Sequence, residues 1–523
     1  MWARYKKYLL HSEQLGLTLD VSRVPFAEDY LPSMEIRMID ALQKMTELEG
    51  GALANPDENR MVGHYWLRNP ELAPDPDIVL EIRNNIQFVK AFATKIHQGS
   101  IRGEKNRPFI NYLVIGIGGS SLGPKFAADA LSSGEDKLKG FFIDNTDPNG
   151  IDRVFSCIGE DLDQTLAIVI SKSGGTIETR NGLEEARLLY QKQGLDLARH
   201  GVAVTQTGSK LDLLSKKEGW LAAFPMWDWV GGRTSVLSAV GLLPLALQGI
   251  DIAGLLSGAK MGDEAARQTE IQKNPAALMA LAWFWLTKGR GGQQMVVLPY
   301  KDRLELFSKY LQQLVMESLG KEKDLSGNKV NQGLAVLGNK GSTDQHSYIQ
   351  QLLEGPDNFF VTFIRILRDR EGFSPVIDEN STSGDYLQAF LLGTRQALTM
   401  RGRSSITITL KELNSLSVGV LLSLFEKTVG LYALLVGVNA YHQPAVELGK
   451  KSAGEIISLK NLITDFLKCH PAERFDAEEL AGNLDREKDT ETVFQLLQHL
   501  AANPQWNIHA QGNGCTENRY WYC

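Results

Sequence analysis

Little in this 523-residue sequence points to metal, disulfide or membrane chemistry. Its four cysteines, Cys157, Cys469, Cys515 and Cys523, are scattered without a CxxC pair. That argues against a zinc site or a disulfide scaffold and fits a reducing cytoplasm. No His, Cys, Asp or Glu group has metal-ligand spacing, and no G-x-x-x-x-G-K-[ST] marks a P-loop. The formal charge of -7 is mild for the length, and no run of Lys or Arg could neutralise the phosphates of a nucleic acid. The positive charges of Met1-Trp-Ala-Arg-Tyr-Lys-Lys7 lead only to Leu9 and Leu10 before polar His11-Ser-Glu13, too short an apolar core for an export signal. The most apolar stretch, Leu416 to Val438, is interrupted by Glu426-Lys427. This predicts two buried helical segments, each too short to cross about 30 Å of hydrocarbon.

What is present is an ordinary globular composition, 43% hydrophobic and 22% charged, in a chain too long for one core. The first 105 residues read mainly as helix, with Asp75 as N-cap and Pro76 at the first helical position before Ile78, Ile82 and Ile86. The period then changes. Tyr112 to Ile117, Gly140 to Ile143, Leu166 to Ile170 and Gly201 to Thr205 are short apolar runs separated by helical stretches, which predicts a parallel sheet covered on both faces. Met295 to Leu298, Leu334 to Leu337, Phe359 to Ile364 and Ser405 to Thr409 repeat the pattern. The expected organisation is an N-terminal helical segment (1–105), two α/β domains (106–250 and 251–440), and a C-terminal helical segment with an aromatic tail (441–523).

Two turns suit a phosphate. Gly116-Ile-Gly-Gly-Ser-Ser-Leu-Gly123 follows a strand and precedes a helix, where free backbone N–H groups and the helix dipole favour an anion. A dinucleotide fingerprint would need glycine where Ser121 stands, although Asp144 at the end of the next strand imitates a ribose contact. Ser171-Lys-Ser-Gly-Gly-Thr176 has the same placement and offers three hydroxyls, one ammonium and two glycines that let the backbone approach a ligand. The competing reading of that motif is a Ser/Thr helix cap in an ordinary loop.

The chemistry-bearing groups lie further on. Leu304 to Ser318 reads as a helix with an apolar stripe, placing Gln313 and Glu317 on another face and Glu317 in the last turn before Gly320. There the dipole does not favour a carboxylate, so Glu317 is a candidate base or an exposed acid. Gly338-Asn-Lys-Gly-Ser-Thr-Asp-Gln-His346 leads into a helix capped by Thr343 or Asp344. His346 then falls in the first turn, where the dipole keeps an imidazole neutral. Gly231-Gly-Arg-Thr-Ser235 sets Arg233 among glycines and hydroxyls, and Val446 to Lys450 sets a lysine on a helix. Each of these charges could equally be a solvated surface group.

In this order the segments Gly116 to Gly123, Ser171 to Thr176, Gly231 to Ser235, Gln313 to Ser318, Gly341 to His346 and Gln443 to Lys450 resemble the glucose-6-phosphate isomerase family, in its bacterial form. A weaker echo is Glu58-Asn-Arg60 with Leu67-Arg68. The resemblance implies an α/β sugar-isomerase fold, no cofactor or metal, a sugar-phosphate substrate with no nucleic acid or membrane partner, and a place in glycolysis and gluconeogenesis. It matches Gly119, Ser120, Ser171, Lys172, Ser173 and Thr176 to phosphate contacts, Gln313 and Gln443 to other substrate contacts, and Glu317 to the base working between C1 and C2. Arg233 matches the group beside the enediolate, and His346 and Lys450 match the ring-opening pair. The family further implies a homodimer in which the histidine is supplied as His346 of the partner subunit. Thr234, His442, Pro444 and Ala445 depart from the family's usual aromatic, Asp or Asn, Trp and Gly. The alternatives are a non-catalytic sugar-phosphate sensor of the same fold and an oxidoreductase using Gly116 to Gly123 for a nicotinamide.

Overall fold

The computed structural model describes residues 1–512, 514 and 516–523, leaving out the side chains of Glu447, Leu448 and Lys450. Five strands form a wholly parallel sheet in the order Lys139–Ile143, Asn111–Ile115, Thr165–Ile170, Gly201–Thr205, Ala222–Pro225. Asn111–Ile115 and Thr165–Ile170 are buried at every position, the mark of a strand covered by helices on both faces. The chain leaves Asn111–Ile115 for one edge of the sheet and Thr165–Ile170 for the other. The crevice beyond the carboxyl ends of this adjacent pair is therefore a topological switch point, where open α/β sheets hold their ligands.

The second sheet has six strands in the order Leu9–Ser12, Leu17–Arg23, Ser405–Leu410, Phe359–Ile366, Gln294–Pro299, Val336–Leu337. Its last four are parallel, as the apolar runs predict. Its first two form an antiparallel hairpin that joins it through Ser405–Leu410. The N-terminal region is thus not purely helical. In Leu17–Arg23 five of seven positions are buried, and this density of inward residues blurs the alternation that would mark a strand. The helix Pro76–His97 does start where its sequence says, with the Asp75 side chain accepting from the Asp77 amide at 2.8 Å.

Leu416 to Val438 forms one helix, Ser415–Val436, in place of two segments. It is long and apolar enough to cross a membrane, yet 94% of its apolar window is buried inside the protein. Glu426 and Lys427 do not interrupt it because their charges are answered there. Arg68 binds Glu426 and, at 2.7 Å, Asp263; Lys427 binds Glu49; Arg267 reaches Glu49 at 2.9 Å and Asp263 at 3.5 Å. Burial pushes the Glu426 carboxyl up to about 7 against the pull of Arg68.

These elements belong to a compact unit, Met1–His442, and Gln443–Cys523 is a second one. The second unit packs the helices Pro444–Cys469, Ala477–Asn483 and Thr490–Ala502 around Leu459, Ile463, Leu467, Leu480, Leu497 and Tyr520. The aromatic tail is a strand, Arg519–Tyr522, antiparallel to Ile508–Gln511.

Candidate active site

Both phosphate-type turns leave the switch point of the parallel sheet. In Ser171 to Thr176 the buried Ser171 hydroxyl accepts from the Gly174 amide at 3.1 Å and donates to Thr176 Oγ1 at 3.2 Å, while Ser173 Oγ accepts from the Gly175 amide at 3.1 Å. Gly174 has φ +65°, and a Cβ there would stand 2.3 Å from the Leu211 amide nitrogen, so only glycine fits. Thr176 precedes the helix Ile177–Lys192 but makes no side-chain cap, which leaves that helix start without a side-chain cap from Thr176. The motif is therefore not a simple Ser/Thr cap. Lys172 turns away from the cradle and donates to the carbonyls of Asp228 at 3.0 Å and Val230 at 3.2 Å, bracing the segment before Arg233. Burial is the main reason its ammonium titrates below the ordinary lysine value, with Asp228 opposing the shift and Arg60 adding to it.

The turn Gly116 to Gly123 is fused to Gly231 to Ser235. A Cβ on Gly119 would lie 2.0 Å from the Gly232 carbonyl oxygen, and Ser235 Oγ donates to the Gly119 carbonyl at 3.3 Å. Gln313 closes over the same turn, its Nε2 lying 3.3 Å from where a Cβ on Gly118 would be. Asp144, the imitation of a ribose ligand, is taken up by Lys125 at 3.0 Å, on the helix that follows the glycine turn, and by Ser121 at 3.4 Å, in that turn.

Arg233 is buried and held from three sides. Its Nε donates to Ser318 Oγ at 2.8 Å, Nη2 donates to the Ala440 carbonyl at 2.6 Å, and Nη1 lies 3.2 Å from Glu317 Oε2. Burial lowers the tendency of the guanidinium to hold its proton and Glu317 opposes that effect, so the pair stabilises the charged arginine. The segment carrying Glu317 is not the straight α-helix expected. Phe307–Leu311 is α-helical and Gln312–Glu317 is a π-helical turn that carries both Gln313 and Glu317. A hydrophobic pattern cannot show such a bulge. Sequence reasoning also missed Lys321, almost wholly buried, whose ammonium folds back to the Glu317 carbonyl at 2.7 Å. The available signal was its position four residues after Glu317 at a helix end, where a basic side chain answers orphan carbonyls.

His346 is exposed and lies in the short turn Thr343–His346, ahead of a six-residue helix that begins only at Ile349. Neither Thr343 nor Asp344 caps an α-helix here. Asp344 instead accepts from the amides of Asn339 and Lys340, both at 3.0 Å, so the dipole argument for a neutral imidazole does not apply. No side-chain hydrogen bond or ion pair among the described residues engages His346. The structure gathers Gly119, Gln313, Arg233 and Glu317, and ties Lys172 to the loop before Arg233. Gln443 falls in the second unit, immediately before the helix that starts with Pro444 at its first position, and the side chain of Lys450 lies outside the described residues. Of the departures from the family pattern, Thr234 is buried with its hydroxyl on the Gly231 carbonyl at 3.3 Å, and His442 offers its carbonyl to Arg233 at 3.4 Å.

A family model described as Phosphoglucose isomerase matches residues 33–401 and 394–466. A protein named glucose-6-phosphate isomerase from Desulfitobacterium hafniense is 61% identical over 521 residues, covering 99% of this chain and 98% of that one. The one from Geobacter sulfurreducens is 57% identical over 509 residues, covering 97% and 96%. Among solved structures, a glucose-6-phosphate isomerase from Chlamydia trachomatis superposes with a TM-score of 0.79 at 28% identity, covering 88% of this chain and 91% of its own. With a family model matching most of its length and relatives at this identity over nearly all of it, the chain belongs to the phosphoglucose isomerase family.

Proposed function

We propose that Glu317 carries the proton between C1 and C2 of the sugar while Arg233 balances the oxygen charge of the enediolate. The reaction is the reversible aldose–ketose isomerisation of glucose 6-phosphate and fructose 6-phosphate. It asks for one base able to reach both carbons and a fixed cation beside the developing charge. The observation that carries the assignment is the 3.2 Å Glu317–Arg233 contact, in which the arginine is buried and the acid keeps an open face. In this reading Ser171, Ser173 and Thr176, with Gly119 and Ser120 opposite, grip the phosphate at the switch point, and Gln313 and Gln443 hold the sugar. Lys172 acts by bracing the cradle and adding positive field. A sensor has no use for a carboxylate held against a buried arginine.

Ring opening falls to His346 and Lys450. The exposure of His346 and the lack of local partners for its side chain support a homodimer in which each site receives His346 of the partner subunit. A cytoplasmic location agrees with exposed, unpaired Cys157, Cys469 and Cys523.

Purified protein given fructose 6-phosphate in EDTA should form glucose 6-phosphate, and Glu317→Gln should lower kcat by about 10²–10⁴. Turnover unchanged in that variant removes Glu317 from the role. Co-expressing Glu317→Gln with His346→Ala should restore activity that neither has alone, because a mixed dimer then holds one complete site; no restoration places the histidine in its own subunit's site.

A further inference from the structure

Lys321 stands four residues beyond Glu317, where the chain turns from the π-helical segment into the strand Lys321–Lys323. Only 6% of it is exposed, an unusual position for a lysine that makes no ion pair within 4 Å among the described residues. Its Nζ donates instead to the backbone carbonyl of Glu317 at 2.7 Å. That carbonyl is among the last of its helical segment, so it lacks an onward helical partner and lies at the negative end of the segment's dipole. The charged groups facing the ammonium come from each neighbouring element: Arg233 from the glycine turn, Glu317 from the π-helical turn, Asp57 from the loop 55–60, and His442 from the segment that also receives the arginine. His442 lies 3.5 Å from Asp57, and Asn439 and Tyr441 tie the same two segments together through Asn55. Lys321 thus sits behind the catalytic pair, out of reach of a substrate lying on the open face of Glu317.

We infer that Lys321 is a positioning residue for proton transfer: its ammonium clamps the end of the π-helical turn and so fixes where the Glu317 carboxylate meets Arg233 and the sugar. The inference rests on Glu317 being the base. A clamp of this kind acts mainly on the chemical step, because the phosphate and sugar contacts that set substrate affinity come from other turns. It also has a titration. Burial first, and then Arg233, bring the lysine down to about 8 while Glu317 and Asp57 oppose the shift. The charge on the clamp is accordingly present below about pH 8 and lost above it.

The test compares the full-length wild type with Lys321→Met, Lys321→Arg and Glu317→Gln, measuring kcat and KM for fructose 6-phosphate from pH 6.5 to 10. Lys321→Met should lose about tenfold or more in kcat with KM within about threefold, as expected when an orphaned buried carbonyl shifts a base. Lys321→Arg should keep most of the rate at pH 7. It should also lack the alkaline fall in kcat that the wild type shows near pH 8, which separates a charged clamp from a merely structural side chain even if the methionine variant folds poorly. Wild-type kcat in a folded Lys321→Met, or the same alkaline limb in wild type and Lys321→Arg, overturns the inference. Failure of the underlying reading is seen separately, as undiminished turnover in Glu317→Gln.

Discussion

Around Arg68, the arginine, Asp263 and Glu426 each keep 1% or less of their side-chain surface, whereas around Arg233 the arginine keeps 4% and Glu317 keeps 22%. Both clusters place an arginine against carboxylates inside one unit, and both are anchored on elements far apart in sequence. The difference is the open face of one acid. Where every charge is sealed, each ion's value is set by what its removal would leave unpaired, and the cluster fastens the helices Ile252–Ala265 and Ser415–Val436 to the segment bearing Arg68. Where one carboxylate stays reachable, the same pairing holds a base at a fixed spot with room for a proton to come and go.

The contrast can be broken from either side. The largest effect expected is that of Glu317→Gln on kcat, with a smaller cost in stability than any sealed carboxylate would show, since the amide can still accept from Arg233. Next is Arg68→Met, which leaves Asp263 and Glu426 facing each other. It should cost about 3–5 kcal/mol in chemical denaturation while the folded fraction turns over at close to the normal rate. Retained stability would mean that the sealed cluster does not hold the helices. Thr176→Ala tests the anchor that brings the sugar to the open pair. KM should rise about tenfold with kcat nearly unchanged if the grip is uniform through the reaction, and a fall in kcat at constant KM would show that the anchor acts in the transition state.

The smallest effect sharpens the sealed side. In the fold Glu426 is pushed up to about 7, above the ordinary 4.5, because burial penalises its charge. A raised carboxyl favours the folded state while protonated, so its contribution is complete below about pH 4.5 and is lost as pH rises through about 7. The thermal midpoint of the wild type should therefore fall relative to Glu426→Gln between pH 5 and pH 8. A difference between the two proteins that does not change over that range argues that Arg68 keeps the acid ionised throughout.

How much of this was legible follows from what each signal encodes. The parallel strands announced themselves because burial on both faces writes continuous apolar runs, and the glycine turns because close backbone approaches tolerate nothing else, as at Gly119. The Glu426-Lys427 pair misled, since a charge in an apolar run looks like an interruption until its partners, Arg68 and Glu49, arrive from elsewhere in the chain. The π-helical bulge at Gln312–Glu317 and the hairpin Leu9–Arg23 were invisible for related reasons. One is a change of helical pitch without a change of composition, and the other takes its meaning from Ser405–Leu410. The roles of Glu317, Arg233 and His346 came from their order along the chain, which a family pattern preserves and local physics does not.

That hairpin has a further consequence for how the molecule is made. Leu17 faces Leu410 and Leu19 faces Ile408, so a strand synthesised early waits for its partner until most of the chain has been translated. Until then it exposes a row of unpaired amides and carbonyls beside Leu17, Leu19 and Val21, a surface that invites association with other nascent chains. The pairing joins residues as far apart as Leu17 and Leu410, which makes closure of the second sheet a late and slow event in folding. Expression yield should accordingly respond to temperature and chaperone supply more sharply than the deep burial of the finished sheet would imply.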